Sequence, residues 1–453
     1  MLGEQRIKEA LHQALRSSKA EQTEVVILAE DSYLTRFANS AIHQNVAERN
    51  FLCQVRAVFG RRIGLASTNS LERADIKRTV DQACRIARLQ RENKDFKSLP
   101  APVPDDGRDL KLYFPETANF TARQRAEVVG RICRLAERYK TRAFGALSNG
   151  TVEMAVANSL GVMRYQASSD AYLNTVVMSD TGSGYGQGAQ RQIEKINFEA
   201  IAAKAVRRAV QSRHPIELKP GEYTVVLEET AVFTLLEFLN FTGFSARALQ
   251  EGRSFLGGKF GQRIVDPRIS IIDDPGDTKG FAFPFDFEGV TKQRVAIIEK
   301  GVAKNVVYDS LTADKDNRKS TGHALMAPAY HPLASNLVFR PGRSTKKSLV
   351  ESTGRGIYVT RFHYVNLIDP MEVSITGMTR DGTFLIEQGR ITKPVKNLRF
   401  TVSILKCLNN LSAISRKLTL VSENAGYGPR FASGFRVPAL KIDNFNFTGS
   451  TDF

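Results

Sequence analysis

Two patterns along the chain predict an α+β fold. Through the first 215 residues, helix-period segments flank blocks of alternating, strand-like sequence. No strand–helix–strand alternation of the nucleotide-binding kind runs through them. Beyond residue 215, almost every periodic segment is a short strand bounded by turn residues. A chain of 453 residues is too long for one ordinary core, so two domains are expected. The first, 1–215, is expected to be an antiparallel sheet with three long helices. The second, 216–453, is expected to be β-rich around one central helix.

The elements follow in order. Residues 4–18 are amphipathic with acids interspersed, which predicts a helix. With no apolar centre and no small-residue cleavage site, this start is not a secretory signal, and the cytoplasm is the expected location. No apolar run approaches the roughly 18 residues that a membrane helix needs. "TEVVILAE" (23–30) reads as a strand. Residues 33–68 alternate through short strands, with turns expected near Ala47–Asn50 and Gly60–Arg61. Residues 71–90 form an amphipathic helix, 97–109 a Pro-rich loop, and 121–140 a second long helix. Strands follow over 142–180, with tight turns expected at Asn149–Gly150 and Ser159–Gly161.

"GSGYGQG" (182–188) lacks the lysine and hydroxyl of a phosphate loop. It reads as a loop before the helix at 197–212, or as a mobile gate over a groove. "RHPIELKPGE" (213–222) is aperiodic and marks the boundary. After the strand "EYTVVLE" (222–228), the helix "TLLEFLNF" (234–241) is apolar nearly all round, which belongs inside a domain. Its one carboxyl, Glu237, needs a reason there, since a buried charge is costly unless paired. Short strands then run through 268–274, 294–309, 356–366 and 372–392, with a further helical stretch at 402–409.

Composition excludes several classes. The net charge is +17, but residues 1–215 hold 33 basic and 23 acidic side chains against 31 and 24 in the remainder. The basic stretches 78–94 and 204–213 are not interleaved with aromatics as in a single-strand binder. They read as solvated helix faces, so a nucleic-acid partner is not expected. The spread charge would weakly favour acidic peptides. Cys53, Cys84, Cys133 and Cys407 are far apart, without C-x-x-C, and read as buried small hydrophobes. No pair of the six histidines has H-E-x-x-H spacing, and no G-x-S-x-G elbow occurs. The carboxylates of 273–277 and 314–317 read as turns, because the Gly and Glu of a calcium loop are missing.

Four segments in order carry a family likeness: "TRFANSAIHQN" (35–45) with 55–88, "YDSLTADKDNRKSTGHA" (308–324), "VSITGMTRDGTFLIEQGRITKPVKNLRFT" (373–401) and "PALKIDNFNFTG" (438–449). Together they resemble the TldD/PmbA family, named for modulation of DNA gyrase inhibitors and including the TldD-type zinc peptidases. The resemblance implies a two-domain α+β chain that pairs as a dimer. In the TldD type, a helix early in the second domain carries H-E-x-x-x-H, and a cysteine near the C-terminus completes the zinc site. The PmbA/TldE type lacks these ligands and joins a TldD-type chain in a heterodimer that cleaves unstructured peptides. Such pairs trim precursors of peptide antibiotics or degrade antitoxin-like peptides.

Carried over by position, Glu237 stands where the first histidine would be, Phe238 at the catalytic glutamate and Thr242 at the second histidine. Ala425, in "SENAGYG" (422–428), takes the place of the cysteine. Phenylalanine and alanine neither bind zinc nor accept a proton, and zinc catalysis needs about three protein ligands and an open position. The resemblance therefore implies no metal in this chain, with zinc held by a TldD-type partner. Three readings stay open: a noncatalytic subunit of such a pair, a homodimeric peptide-binding scaffold, or a self-contained hydrolase drawing on His323, His331, His363, Asp369 and Glu372. Arg380, Asp381 and Gly382 first read as a hairpin turn, Asp-Gly being its signal, and otherwise as peptide contacts. Arg36 and Asn39 are polar on the first strand pair and are expected to face the dimer surface or cleft.

Overall fold

The computed structural model describes residues 1–103, 110–329, 331–423 and 429–451. Its first half runs α1 (Glu4–Ser17), β1 (Gln22–Ala38), β2 (Ala41–Phe59), β3 (Arg62–Thr68) and α2 (Arg73–Leu89). A single turn, α3 (Pro115–Ala118), leads into α4 (Ala122–Arg138), β4 (Arg142–Asn158), β5 (Met163–Met178), β6 (Ser183–Gln190) and α5 (Phe198–Gln211). The six strands form one antiparallel sheet in the order β3-β2-β1-β4-β5-β6. One face is covered by α1 and α2 over Val25, Ile27 and Val55, and by α4 and α5 over Leu147, Leu173 and Val177. On the other face, Val26, Leu28 and Met154 meet Phe283 and Phe285 of the second half. Cover on both faces explains why Val25–Ala29 is apolar at every position.

The second half contains β7 (Gly221–Leu227), α6 (Glu229–Gly243), α7 (Ala246–Gln250), β8 (Ile271–Asp273), β9 (Val295–Glu299) and β10 (Val302–Ala303). Next come α8 (Ser310–Lys315), β11 (Leu337–Phe339), α9 (Lys346–Glu351), β12 (Arg355–Asp369), β13 (Ser374–Glu387), β14 (Arg390–Pro394) and β15 (Leu398–Ser403). The last elements are α10 (Ile404–Asn409), β16 (Leu411–Ile414), β17 (Thr419–Val421), β18 (Phe435–Val437) and β19 (Leu440–Ser450). One sheet has the order β10-β9-β8-β11-β18-β17; the other, β12-β7-β19-β15-β13-β14, closes on itself where β12 also pairs β13. Phe362, Phe400, Phe445 and Phe447 pack ring to ring in its interior. Helix α6 is buried against β12 and β18, as its all-round apolar sequence requires. Among the described residues no helix is long and apolar enough to cross a membrane.

Several local expectations need correction. The first sheet carries four helices of 14 to 17 residues, not three. Ala47–Asn50 lie inside β2, and the chain turns instead at Asn39–Ser40, with φ of 51° and 59°. Beyond the end of β3, residues 41–50 of β2 run along an open edge and are nearly all exposed, so the polar run Glu48–Asn50 has the composition of a turn yet stays in the strand. Asn149–Gly150 lie inside β4. Asn149 is fully buried; it accepts from Arg125 Nη1 at 2.8 Å and donates to the Thr117 carbonyl at 2.8 Å. "GSGYGQG" is neither loop nor gate but most of edge strand β6. A Cβ at Gly184 would lie 2.1 Å from the Ala205 carbonyl oxygen of α5, so the glycines let a helix sit on the strand. Gly64 of β3 does the same beneath α2, 2.2 Å from the Ala83 carbonyl oxygen.

Buried arginines join the two halves. Arg56 of β2 donates to Glu24 at 2.7 Å and to Glu288 at 3.1 Å. Arg430 grips Asp170 of β5 at 2.9 and 2.6 Å. Arg191 donates to the Ala282 carbonyl at 2.7 Å, and Arg208 of α5 pairs with Glu228.

Candidate functional site

Helix α6 is held at its N-terminus by charge. Glu228, its N-cap, is buried against Arg208, Lys204 (3.0 Å) and the Tyr358 hydroxyl. Burial alone would push this carboxyl up, but Arg208, Lys204 and Lys346 outweigh it and hold the group well below the usual range. The next residue, Glu229, pairs with Lys346 at 2.6 Å. So anchored, α6 turns Glu237 and Phe238 into a groove of about 480 Å³ between the halves. Tyr172 and Tyr185 of the first sheet form one wall, and Arg361 and His363 of β12, with Glu423, form the other.

Glu237 is open to solvent at the surface of the helix yet walled in by the groove. Loss of bulk water, with repulsion from Glu423, pushes its carboxyl up to about 7. Burial also raises Glu423, with Arg361 opposing. Among the described residues no cation pairs with Glu237. Arg361 is committed elsewhere: it donates to Asp381 Oδ2 at 2.5 Å, and its guanidinium lies 4.3 Å from the centre of the Tyr185 ring. Burial, then Arg380 and Arg361, hold His363 below its ordinary value, so its imidazole is neutral at pH 7.

The other residues singled out from the sequence fall in different places. Thr242 is buried, and its hydroxyl donates to the Phe238 carbonyl at 2.7 Å. Ala425 lies outside the described residues. Arg380, Asp381 and Gly382 do not form a hairpin turn; they sit inside β13, where the pairing with β12 shifts register between Val359 and Arg361. Asp381 has φ 56° and is buried, while Thr360 Oγ1 donates to the Arg380 and Asp381 carbonyls, both at 3.0 Å. Asp-Gly chemistry here serves a bulge rather than a turn. Arg380 and Gly382 line a neighbouring cavity of about 580 Å³ with His214 and Lys396. Asn39 lines another of about 580 Å³, with Lys140 and Arg142; Met178, Ser179 and Asp180 line both. Arg36 is exposed on β1 and donates to Gln44 at 3.3 Å.

The histidines and carboxylates of the hydrolase reading do not converge. His323 is fully buried, 3.1 Å from Asp273. His331 follows the cis Ala327–Pro328 bond in its loop, and His363 lies in the groove. Asp369 caps the exposed end of β12 by accepting from the Met371 and Glu372 amides at 2.7 and 3.1 Å. The groove's metal-ligating side chains are Glu237, Glu423 and His363, and among the described residues no three His, Cys, Asp or Glu groups come together to hold an ion. These residues do not fit the three-ligand zinc centre that the resemblance implies for TldD-type chains.

Sequence reasoning missed Tyr172 and Tyr185, which reach α6 only through the docking of the halves, and Glu423, which the folding of the second half brings beside it from far downstream. Arg361 had a signal: one charge inside the apolar run "GIYVTRF".

This architecture is that of known proteins. The structure of TldE from Thermococcus kodakarensis superposes with a TM-score of 0.88 at 20% identity, covering 98% of this chain and 100% of that one. A Thermotoga maritima protein described as a modulator of a DNA gyrase gives 0.86 at 18% identity, over 98% and 100%. Three family profiles match in order: PmbA/TldA metallopeptidase domain 1 over residues 23–87, the central domain over 108–213 and the C-terminal domain over 220–449. The chain belongs to the PmbA/TldD family of metallopeptidase-like proteins. Two relatives come from Haemophilus influenzae: the metalloprotease TldD homolog is 24% identical over 87% of this chain and 86% of its own length, and the PmbA homolog is 24% identical over 91% and 92%. A Methanothermobacter thermautotrophicus metalloprotease is 26% identical over 59% of each chain.

Proposed function

We propose that this chain is the noncatalytic, PmbA/TldE-like subunit of a pair that cleaves unstructured peptides in the cytoplasm. The zinc and the general base would belong to a TldD-type partner. This chain would contribute a wall of the substrate groove and hold the partner in register. One observation carries the reading: Phe238, which the sequence resemblance aligns with the family's base, is turned into the groove by helix α6. Phenylalanine can neither ligate a metal nor take up a proton. The apolar side chains exposed near the groove mouth, Tyr364 on β12 and Phe241 on α6, suit burial against a second subunit.

The test is reconstitution with a TldD-type chain from the same genome. An unfolded peptide should be cut by the pair and far more slowly by the partner alone. Equal cleavage by the partner alone would overturn the subunit role. A discrete homodimer that binds peptide and ignores the partner would favour the scaffold reading.

A further inference from the structure

The groove beside α6 carries a local charge opposite to that of the molecule. The chain as a whole is +17, yet the groove holds two carboxyl groups, Glu237 and Glu423. The elements around Glu237 supply it with no compensating cation among the described residues. Arg361 of β12 is engaged with Asp381 of β13 and with the Tyr185 face, and offsets Glu423 only in part. His363 is uncharged at neutral pH, and Arg380 lines the neighbouring cavity. Tyr172, whose phenol is pushed up by burial, faces the groove together with Tyr364. Two carboxylates sharing a walled groove, with no cation among the described residues committed to Glu237, favour a guest that brings positive charge. The aromatic rings of Tyr172, Phe238 and Tyr364 suit such a guest twice, through their negative faces and through contact with an aliphatic stem.

We propose that this groove receives a cationic group of the bound peptide, an ammonium or guanidinium, between Glu237 and Glu423. The proposal rests on the peptide-binding part of the function above and names its chemistry. It reverses the preference that overall charge suggests, since the long-range field of the basic surface is screened within about 10 Å at ordinary salt while the groove acts at contact. Glu237 also supplies a pH dependence. With its carboxyl pushed up to about 7, it is protonated at pH 6 and ionised at pH 8, so cation binding strengthens as pH rises.

Isothermal titration calorimetry on the full chain tests this with short Gly/Ser peptides. One set is blocked at both ends and carries a single Lys, norleucine or Glu. A fourth peptide has a free N-terminus and no Lys. At pH 8 the Lys peptide should bind roughly tenfold tighter than the norleucine peptide, and the Glu peptide most weakly. If the free-N-terminus peptide binds tightest, the guest is the α-ammonium; if the Lys peptide does, it is a side chain. Glu237→Gln and Glu423→Gln should each reduce the preference, and wild-type protein should lose part of it at pH 6. Equal affinity for all peptides, or a preference untouched by Glu237→Gln, overturns the cationic site. So does an absence of binding by every peptide. The reconstitution assay decides the subunit role independently.

Discussion

At the scale of single residues, Glu237 shows how far a sequence can be read. Its place on an apolar helix is evident from the spacing of Leu235, Leu236 and Leu239, all buried in the core. Its surroundings are not, because Tyr172 and Tyr185 precede it by some fifty residues or more and Glu423 follows far downstream. A carboxyl-carbon NMR titration should give Glu237 a midpoint near 7, and Glu423→Gln should lower it by removing the nearby like charge. Glu228 is the opposite case. Its folded-state pKa is depressed, so its stabilising contribution is present above the unfolded-state pKa of about 4.5 and is lost as pH falls through the folded value. Glu228→Gln leaves Arg208 buried without its charge partner and should cost about 3 kcal/mol or more at pH 7, measured by urea denaturation.

At the scale of elements, the long helices could be read because their apolar stripes fall at the helical period. The strands were harder wherever glycine or polar residues interrupt alternation. β6 reads as a loop until α5 is seen lying on it, and the free edge of β2 has no buried face to impose a pattern. Asp-Gly at 381–382 and Asn-Gly at 149–150 signal hairpins locally, yet one forms a bulge and the other a buried hydrogen-bond site. The same substitution should therefore have opposite effects at two glycines. Gly184→Ala drives a methyl into the α5 backbone and should destabilise by about 1–3 kcal/mol. Gly130→Ala, inside α4 and facing only the movable end of Arg134, should stabilise by about 0.5–1 kcal/mol. Urea unfolding of both variants checks the pair.

At the scale of the molecule, some of the positive charge that composition reports lies between the halves rather than on a binding face. Arg56, Arg191, Arg208 and Arg430 are all buried there. Arg56 serves two carboxylates, and Glu24, chiefly through burial, is pushed up to about 7; burial with repulsion from Glu288 pushes Asp286 up to about 8. The sign is the reverse of Glu228. An acid whose folded pKa is raised stabilises fully below its unfolded value, 4.5 for Glu24 and 3.8 for Asp286, and that contribution is lost as pH rises through 7 or 8. Stability should therefore fall between pH 5 and pH 8 through these groups, and Glu24→Gln should shrink that difference in denaturation curves taken at the two pH values.

The order β3-β2-β1-β4-β5-β6 has one more consequence. Read outward from its centre, the first sheet is the same helix–three-strand–helix unit laid down twice. β1 and β4 are each 17 residues long and begin at 22 and 142. The glycines beneath the closing helices stand at 64 and 184, the same interval apart. With β1 and β4 paired antiparallel at the centre, the two units face each other across an approximate twofold axis within one sheet. In both units the closing helix imposes the same steric requirement on its edge strand: a hydrogen where every other residue would carry a side chain.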